Sequence, residues 1–528
     1  MYFHFPLNKF LLLLFAALIL AVAVLFTFDF KRYLYGSTPF FPSVGLFAQE
    51  ISGDFGYVVR RVGKGILKIG ERGLAALGIM NATASSPPTG PAKAIGVLTY
   101  HRVVDFPDNS NVPRELFADQ MKKLYNAGWR TITMKEYQAF MAGKLEVPEK
   151  SFVITFDDGA KGSFYPVDPI LKEYGFTAIS YIIVTSSEKP KSTYYLSPEE
   201  IKRMLATGRW EIGSHSYDGH HSYPIDPVNT QGNFFADKLW NFEADRLETP
   251  AEVAERLYSD FKNSRTFLEE RYGVTVDTFA FPFGETGFIT AGNYPEGISV
   301  SHEQAEKVYN YGFLQAHGDD YRFNYQKYPA FLAKRIHVDH DWDGTRLLSI
   351  MEGGNPKSLP FTDNFAVNRG WISSWGTVDA GWGSLILQSN DETSGASTIL
   401  DGSLLWDEYE YNITADWESG FPFLLADVEN SKTYTACAFS QGKVRLQSAR
   451  GGSTVVLGEV SDPSINYGNG VNFGIRVLGN TAACVWDGKV LLRVSNLPDR
   501  SGGIGIQTWN PDVGTARLTI HGISVLSL

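Results

Sequence analysis

Two cysteines in 528 residues are too few to organise the chain. A disulfide scaffold and a thiolate zinc cluster are both excluded, so any metal site must draw on His, Asp or Glu. Positive charge is in deficit as well: 47 basic residues against 58 acidic ones leave a net charge of −11. Such a chain does not neutralise a phosphate backbone, and nucleic acid is excluded as a partner. The composition of a disordered chain is missing too, since 44% of residues are hydrophobic and only 20% charged. Aromatic rings, by contrast, are plentiful at 14%, and flat apolar faces suit flat ligands such as sugars. At a scale of roughly 150 residues per domain, the length implies two to three domains.

Residues 10–28 carry no charge, and at about 1.5 Å per residue this run approaches the roughly 30 Å of a bilayer core. The sequence predicts a transmembrane anchor over residues 1–35. Ala21 and Ala23 form a small-x-small pair, but more apolar residues follow, which makes a poor cleavage site. Lys9 on one side faces Lys31 and Arg32 on the other, so charge does not set the orientation. A juxtamembrane segment and linker are expected over residues 36–92, closing on the small, Pro-rich stretch NATASSPPTGP.

From residue 93 to residue 354, short β-branched and apolar runs alternate with amphipathic stretches. The runs fall at residues 95–100, 151–156, 178–184, 209–214, 277–281, 311–316 and 335–338. Helical spacing occupies residues 114–127, 198–207, 250–272 and 301–311. Seven strands alternating with helices predict a parallel α/β barrel. Over residues 358–528 the texture changes to Gly, Ser, Thr and Asn turns between short alternating strands, which predicts an all-β sandwich. Cys437 and Cys484 sit in two of those strands, either as buried thiols or as a disulfide. The sandwich also holds seven of the eleven tryptophans: Trp371, Trp375, Trp382, Trp406, Trp417, Trp486 and Trp509. They serve either its core or a sugar-binding face.

Four predicted strands discharge polar or turn-forming residues at one end. Strand 151–156 runs into Asp157-Asp158-Gly159, strand 209–214 into His215 and then His220 and His221, strand 95–100 into His101, and strand 277–281 into Pro282-Phe283-Gly284. Each alone has a bland reading as a turn or a capping residue. Together they fall at the barrel end where active sites are built. One carboxylate and two imidazoles without a thiolate suit zinc or a similar divalent ion in an open shell that leaves room for water.

Thr155-Phe156-Asp157-Asp158-Gly159 followed by His215-Ser216 and His220 resembles the first two motifs of the polysaccharide deacetylases, the NodB-homology carbohydrate esterases. The resemblance implies an irregular (β/α)7 barrel with Asp157 as general base and Asp158, His215 and His220 as metal ligands. His221 competes for the last role. The His-x-x-x-x-His spacing and the position of Leu98-Thr99-Tyr100-His101 before the Asp pair are similar to the biofilm-type poly-N-acetylglucosamine deacetylases, which makes His101 the expected acid and His337 its rival. The family's third motif usually opens with an Arg that orients the base. Here Ala280-Phe281-Pro282-Phe283-Gly284 has none, so Lys161 or Arg335 must serve. Phe283 is the expected oxyanion donor, with Pro282, Asp218 and Trp240 as further substrate contacts. Trp240 belongs to a long segment before residue 250 that also holds Tyr223, Phe234, Phe235 and Phe242, and either walls the substrate groove or packs on the barrel flank.

The resemblance implies metal-dependent removal of N-acetyl groups from an extracytoplasmic polysaccharide, with a loose further resemblance of the sandwich to concanavalin-type jelly rolls. Two other readings compete: an O-acetyl esterase acting on a xylan-like glycan, and an anchored glycan-binding protein whose barrel is idle.

Overall fold

Along each barrel strand, alternate residues part to two sides, and this parity sorts the chemistry from the packing. In the computed structural model the described residues are 90–284, 292–316, 320–390, 392–498, 501–511 and 515–528. The expected anchor and nearly all of the linker lie outside them. Among the described residues no helix is long and apolar enough to cross a membrane.

Seven parallel strands close on themselves: β1 (Ala94–Tyr100), β2 (Ser151–Phe156), β3 (Ala178–Ile182), β4 (Trp210–Ser214), β5 (Thr278–Ala280), β6 (Tyr311–Ala316) and β7 (Leu332–His337). Closure runs through β1, which pairs with β2 at Thr99↔Thr155 and with β7 at Thr99↔His337. Ile95, Val97, Val153, Ile179, Tyr181, Ala280, Phe313 and Ala333 form the inner cluster. Leu98, Tyr100, Phe152, Ile154, Phe156 and Phe279 point the other way, into the layer shared with helices α1 (Arg114–Asn126) and α5 (Pro250–Tyr272).

Local chemistry fixes several helix ends. In α4 (Pro198–Ala206) and α5, Ser197 with Glu200 and Thr249 with Glu252 form capping boxes, each followed by proline at the first helical position. Between β1 and α4 lie also α2 (Met134–Met141) and α3 (Asp168–Tyr174). The helix expected at residues 301–311 is instead α6, Gly297–Glu306. Tyr309 turns inward there and bonds the Phe261 carbonyl at 2.8 Å, which ends the helix before β6 begins. Strand 178–184 stops at Ile182, because Val184 opens a short helical turn. Helix α7 (Gly344–Gly354) follows β7 and packs against α1.

The C-terminal part is a sandwich of two antiparallel sheets around one core. The alternative left open for the cysteines resolves as a disulfide, Cys437–Cys484, with a Cα separation of 5.6 Å. It joins strand Thr433–Ser440 of one sheet to strand Thr481–Trp486 of the other. Replacing both cysteines by serine is expected to lower stability by about 2–4 kcal/mol, read as a lower denaturant midpoint with the far-UV spectrum retained. Of the seven tryptophans, Trp371, Trp406, Trp417 and Trp486 belong to the core, whereas Trp382 at a hairpin tip is 98% exposed.

Barrel and sandwich share a seam. The Tyr321 hydroxyl donates to the Val428 carbonyl at 2.8 Å, and Lys357 Nζ donates to the Asp401 carbonyl at 2.7 Å.

Candidate active site

Continuing each inner-facing row past its strand brings the polar residues to one mouth. Thr99 leads to His101, Thr155 to Asp157, Gly213 to His215, and Arg335 to His337, each pair two residues apart and therefore on the same side. Gly213 is required in this row, since a Cβ there would run into the Tyr181 ring.

Arg335 is fully buried and holds Asp157 with both ends of its guanidinium, Nη1 to Oδ1 at 2.6 Å and Nη2 to Oδ2 at 2.7 Å. Burial alone would raise the Asp157 carboxyl, but the Arg335 charge and then His215 overcome it and keep the pKa well below the usual carboxylate range. Of the two expected orienting cations, Arg335 therefore meets the base. Lys161 does not: it pairs at 3.1 Å with Glu200, the capping residue of α4.

Asp158, His215 and His220 bring one donor atom each to within 4.8 Å of one another. Asp158 Oδ1 lies 3.5 Å from His215 Nε2 and 3.4 Å from His220 Nε2. The Nδ1 atom of His215 lies 2.7 Å from the Ala280 carbonyl, which only accepts, so that nitrogen carries the proton and Nε2 keeps its lone pair toward the cluster. Burial opposes a charged His215, yet the Asp157 and Asp158 carboxylates outweigh it and raise its pKa. The Asp158 carboxylate, itself one of the three donors, favours a divalent cation there in the same way. Burial, followed by the neighbouring His215, pushes His220 down to about 4, so this imidazole is neutral and available as a ligand. The donor set fits zinc or a similar ion. His221 is turned outward, 3.8 Å from Asp218.

Backbone strain marks the same loops. Asp158, Ser216 and Phe283 adopt positive φ of 72°, 95° and 65° just beyond β2, β4 and β5, the kind of cost that persists where a site demands it. Phe283 is half-exposed and its ring centroid lies 4.6 Å from that of His220. Pro282 beside it is buried. His101 and His337 meet at the mouth with ring centroids 5.8 Å apart. Asp218 is exposed and accepts from the Thr185 hydroxyl at 2.6 Å. In the segment before α5, Phe234 and Phe235 are buried, and Phe235 packs on Phe261, Phe279 and Phe281. That part packs the barrel flank. Trp240 is half-buried in a small hairpin with Leu247 opposite, and Phe242 is exposed.

Sequence reasoning missed Asp260. It sits on the buried stripe of α5 with Val253, Leu257, Phe261, Ser264 and Leu268. Its carboxylate accepts from the Ser216 hydroxyl at 3.1 Å, the Tyr217 amide at 3.1 Å and the Asp218 amide at 3.0 Å. From the other side, the Val184 and Thr185 amides bond the Ser216 and Tyr217 carbonyls at 3.1 and 3.0 Å. The loop between the two histidines is thus clamped. A carboxylate on the mostly apolar stripe of a helix was the signal available in the sequence. Asp260→Ala is expected to weaken zinc binding by about 10- to 100-fold, measured by competition with a chromophoric chelator.

Comparison with known proteins agrees with the motifs. Residues 144–292 match the family model described as polysaccharide deacetylase. The chain is 21% identical over 214 residues to the poly-beta-1,6-N-acetyl-D-glucosamine N-deacetylase of Escherichia coli (strain K12), covering 38% of this chain and 32% of that protein. It is 26% identical over 178 residues to the protein of the same name from Staphylococcus aureus (strain MRSA252), covering 33% of this chain and 54% of that one. The chain therefore spans about a third to a half of the length of these curated relatives. A solved structure of a de-N-acetylase from Aggregatibacter actinomycetemcomitans aligns with a TM-score of 0.42 and 20% identity, over 48% of this chain and 98% of that chain. Asp157, Asp158, His215, His220 and Phe283 fall inside the matched segment, whereas His101, Arg335 and His337 lie outside it.

Proposed function

We propose that the barrel hydrolyses N-acetyl groups of an N-acetylated polysaccharide, with a divalent ion, zinc by its donor set, held by Asp158, His215 and His220. The observation that carries this reading is the Asp157–Arg335 pair placed beside the donor triad at one mouth of the barrel. The ion would supply Lewis acidity toward a water and the acetyl carbonyl. Asp157, fixed by Arg335 and ionised, takes the proton from the attacking water. The water oxygen bonds the carbonyl carbon, and the Phe283 backbone N–H is the protein donor to the resulting oxyanion. His101 then gives a proton to the amide nitrogen as the C–N bond breaks, releasing acetate and leaving a free amine on the sugar. His337 beside it has its pKa lowered chiefly by burial and then by His101, which makes His337 a poor proton donor.

An amine is a poor leaving group unless protonated. His101→Ala is expected to slow acetate release from acetylated glucosamine oligomers by about 10²- to 10⁴-fold and to affect an acetate ester of a sugar far less. Equal losses on amide and ester would remove His101 from this role. Acetate release from O-acetylated xylan in preference to N-acetylglucosamine oligomers would replace the amidase reading by the esterase one.

An extracytoplasmic setting for the catalytic part is supported by the Cys437–Cys484 disulfide, since such bonds persist in oxidising compartments. Proteolysis of intact cells that cleaves the barrel without lysis tests the location.

A further inference from the structure

A cavity of about 510 Å³ lies away from the donor triad, where the barrel meets the sandwich. Its barrel wall includes Leu332, the first residue of β7, and Tyr325, which pairs with Ala94 at the start of β1. His337 ends β7 and His101 follows β1, so the cavity and the catalytic mouth occupy opposite ends of the same strands, roughly 20 Å apart at the usual strand rise.

The lining has the character of a sugar site. Tyr328 is partly exposed and shares a 2.6 Å hydrogen bond with Ser501 of the sandwich. Lys327 donates to the same Ser501 hydroxyl at 2.8 Å and lies 5.4 Å from the Tyr328 ring centroid. Across the seam, Glu429 and Asn430 add a carboxylate and an amide. Tyr137 also lines the cavity, and its buried hydroxyl has no hydrogen-bond partner among the described residues. Charge is balanced. Lys334 is paired with Asp320 at 2.8 Å, which leaves Lys327 and Glu429 as one charge of each sign. The exposed Tyr328 ring for the apolar side of a pyranose, with amide, ammonium, carboxylate and hydroxyl groups for its edge, favours a neutral polyhydroxylated ring over an ion. Cavities of this size at an interface between two folded parts are common ligand sites.

We infer that the seam cavity is a second, non-catalytic saccharide site that holds a neutral stretch of glycan away from the reacting acetyl group. The proposed reaction bears on it only through the choice of probe. Ala330 is exposed and on the cavity wall, so Ala330→Trp fills the cavity without touching the catalytic mouth. The test is photo-crosslinking of the full chain with diazirine-labelled pentamers of N-acetylglucosamine and of xylose, followed by peptide mass spectrometry. Crosslinks are expected in the peptide spanning residues 321–334, reduced about tenfold or more in Ala330→Trp and also weakened in Tyr328→Ala. Acetate release from the N-acetylglucosamine pentamer should stay within about twofold of the unsubstituted chain. Absence of crosslinks at residues 321–334 with both sugars, or their persistence in Ala330→Trp, overturns the inference. If no protein releases acetate while the crosslinks appear and Ala330→Trp removes them, the reaction proposal falls and the seam site stands.

Discussion

Asp157→Asn should lower acetate release by about 10²- to 10⁴-fold, the usual worth of a positioned general base, and leave metal affinity close to that of the unsubstituted chain. Asparagine matches the carboxylate in shape and keeps one oxygen to accept from Arg335, but it cannot take a proton from water. The three donor atoms belong to other side chains. A kinetic loss without a binding loss is therefore the signature. It is read by comparing kcat on an acetylated glucosamine oligomer with zinc affinity from chelator competition. A parallel fall in both would assign Asp157 to holding the metal.

Arg335→Met is expected to be the most damaging single change to both stability and rate. Asp157 and Arg335 are both buried, and their pairing is bidentate. Removing the guanidinium leaves a carboxylate inside the barrel without its cation, a loss of about 3–5 kcal/mol for a broken buried pair, visible as a lower thermal midpoint. The sign of the pH dependence follows from the direction of the shift. In the folded chain the Asp157 pKa is depressed, so the pair contributes stability above the ordinary carboxylate range near 4 and loses it as pH falls through the folded value. In Arg335→Met the largest charge opposing burial is gone and only weaker ones such as His215 remain, so the carboxyl pKa rises. The base is then protonated over more of the working range, and residual activity should climb with pH where the unsubstituted enzyme is flat. Lys161 does not substitute, because Glu200 already holds it.

Much of this was legible because short apolar and β-branched runs mark the buried strands and helical spacing marks the helices between them. The strands Ser151–Phe156 and Tyr311–Ala316 and the helix Pro250–Tyr272 fall where apolar spacing places them, and the Asp157-Asp158 and His215–His220 groups emerge at one end. The alternation of sides along a strand held an unused answer. Arg335 shares the side of His337, which points into the barrel mouth, whereas Lys161 opens a 3-10 turn beyond the strand, so parity alone ranks the two cations. Other features depend on partners far along the chain. The disulfide needs two strands of different sheets to face each other, and Asp260 acquires its meaning only when α5 is laid against the loop after β4. Helix α6 ends early because Tyr309 finds the Phe261 carbonyl, a contact with no trace in local spacing. Both tryptophan readings were reasonable from texture, and burial divides them: four fill the core and Trp382 stands free.

The proposed hydrolysis rests on one divalent ion held by Asp158, His215 and His220 and on Asp157 as its base. The most direct test is to strip the chain with a chelator, add zinc back in substoichiometric steps, and follow acetate released from an N-acetylglucosamine oligomer. Expected are no release from the stripped chain, recovery that rises linearly and breaks at one ion per chain, and no recovery in His215→Ala. Release that persists in the stripped chain, or that returns equally in His215→Ala, would contradict it.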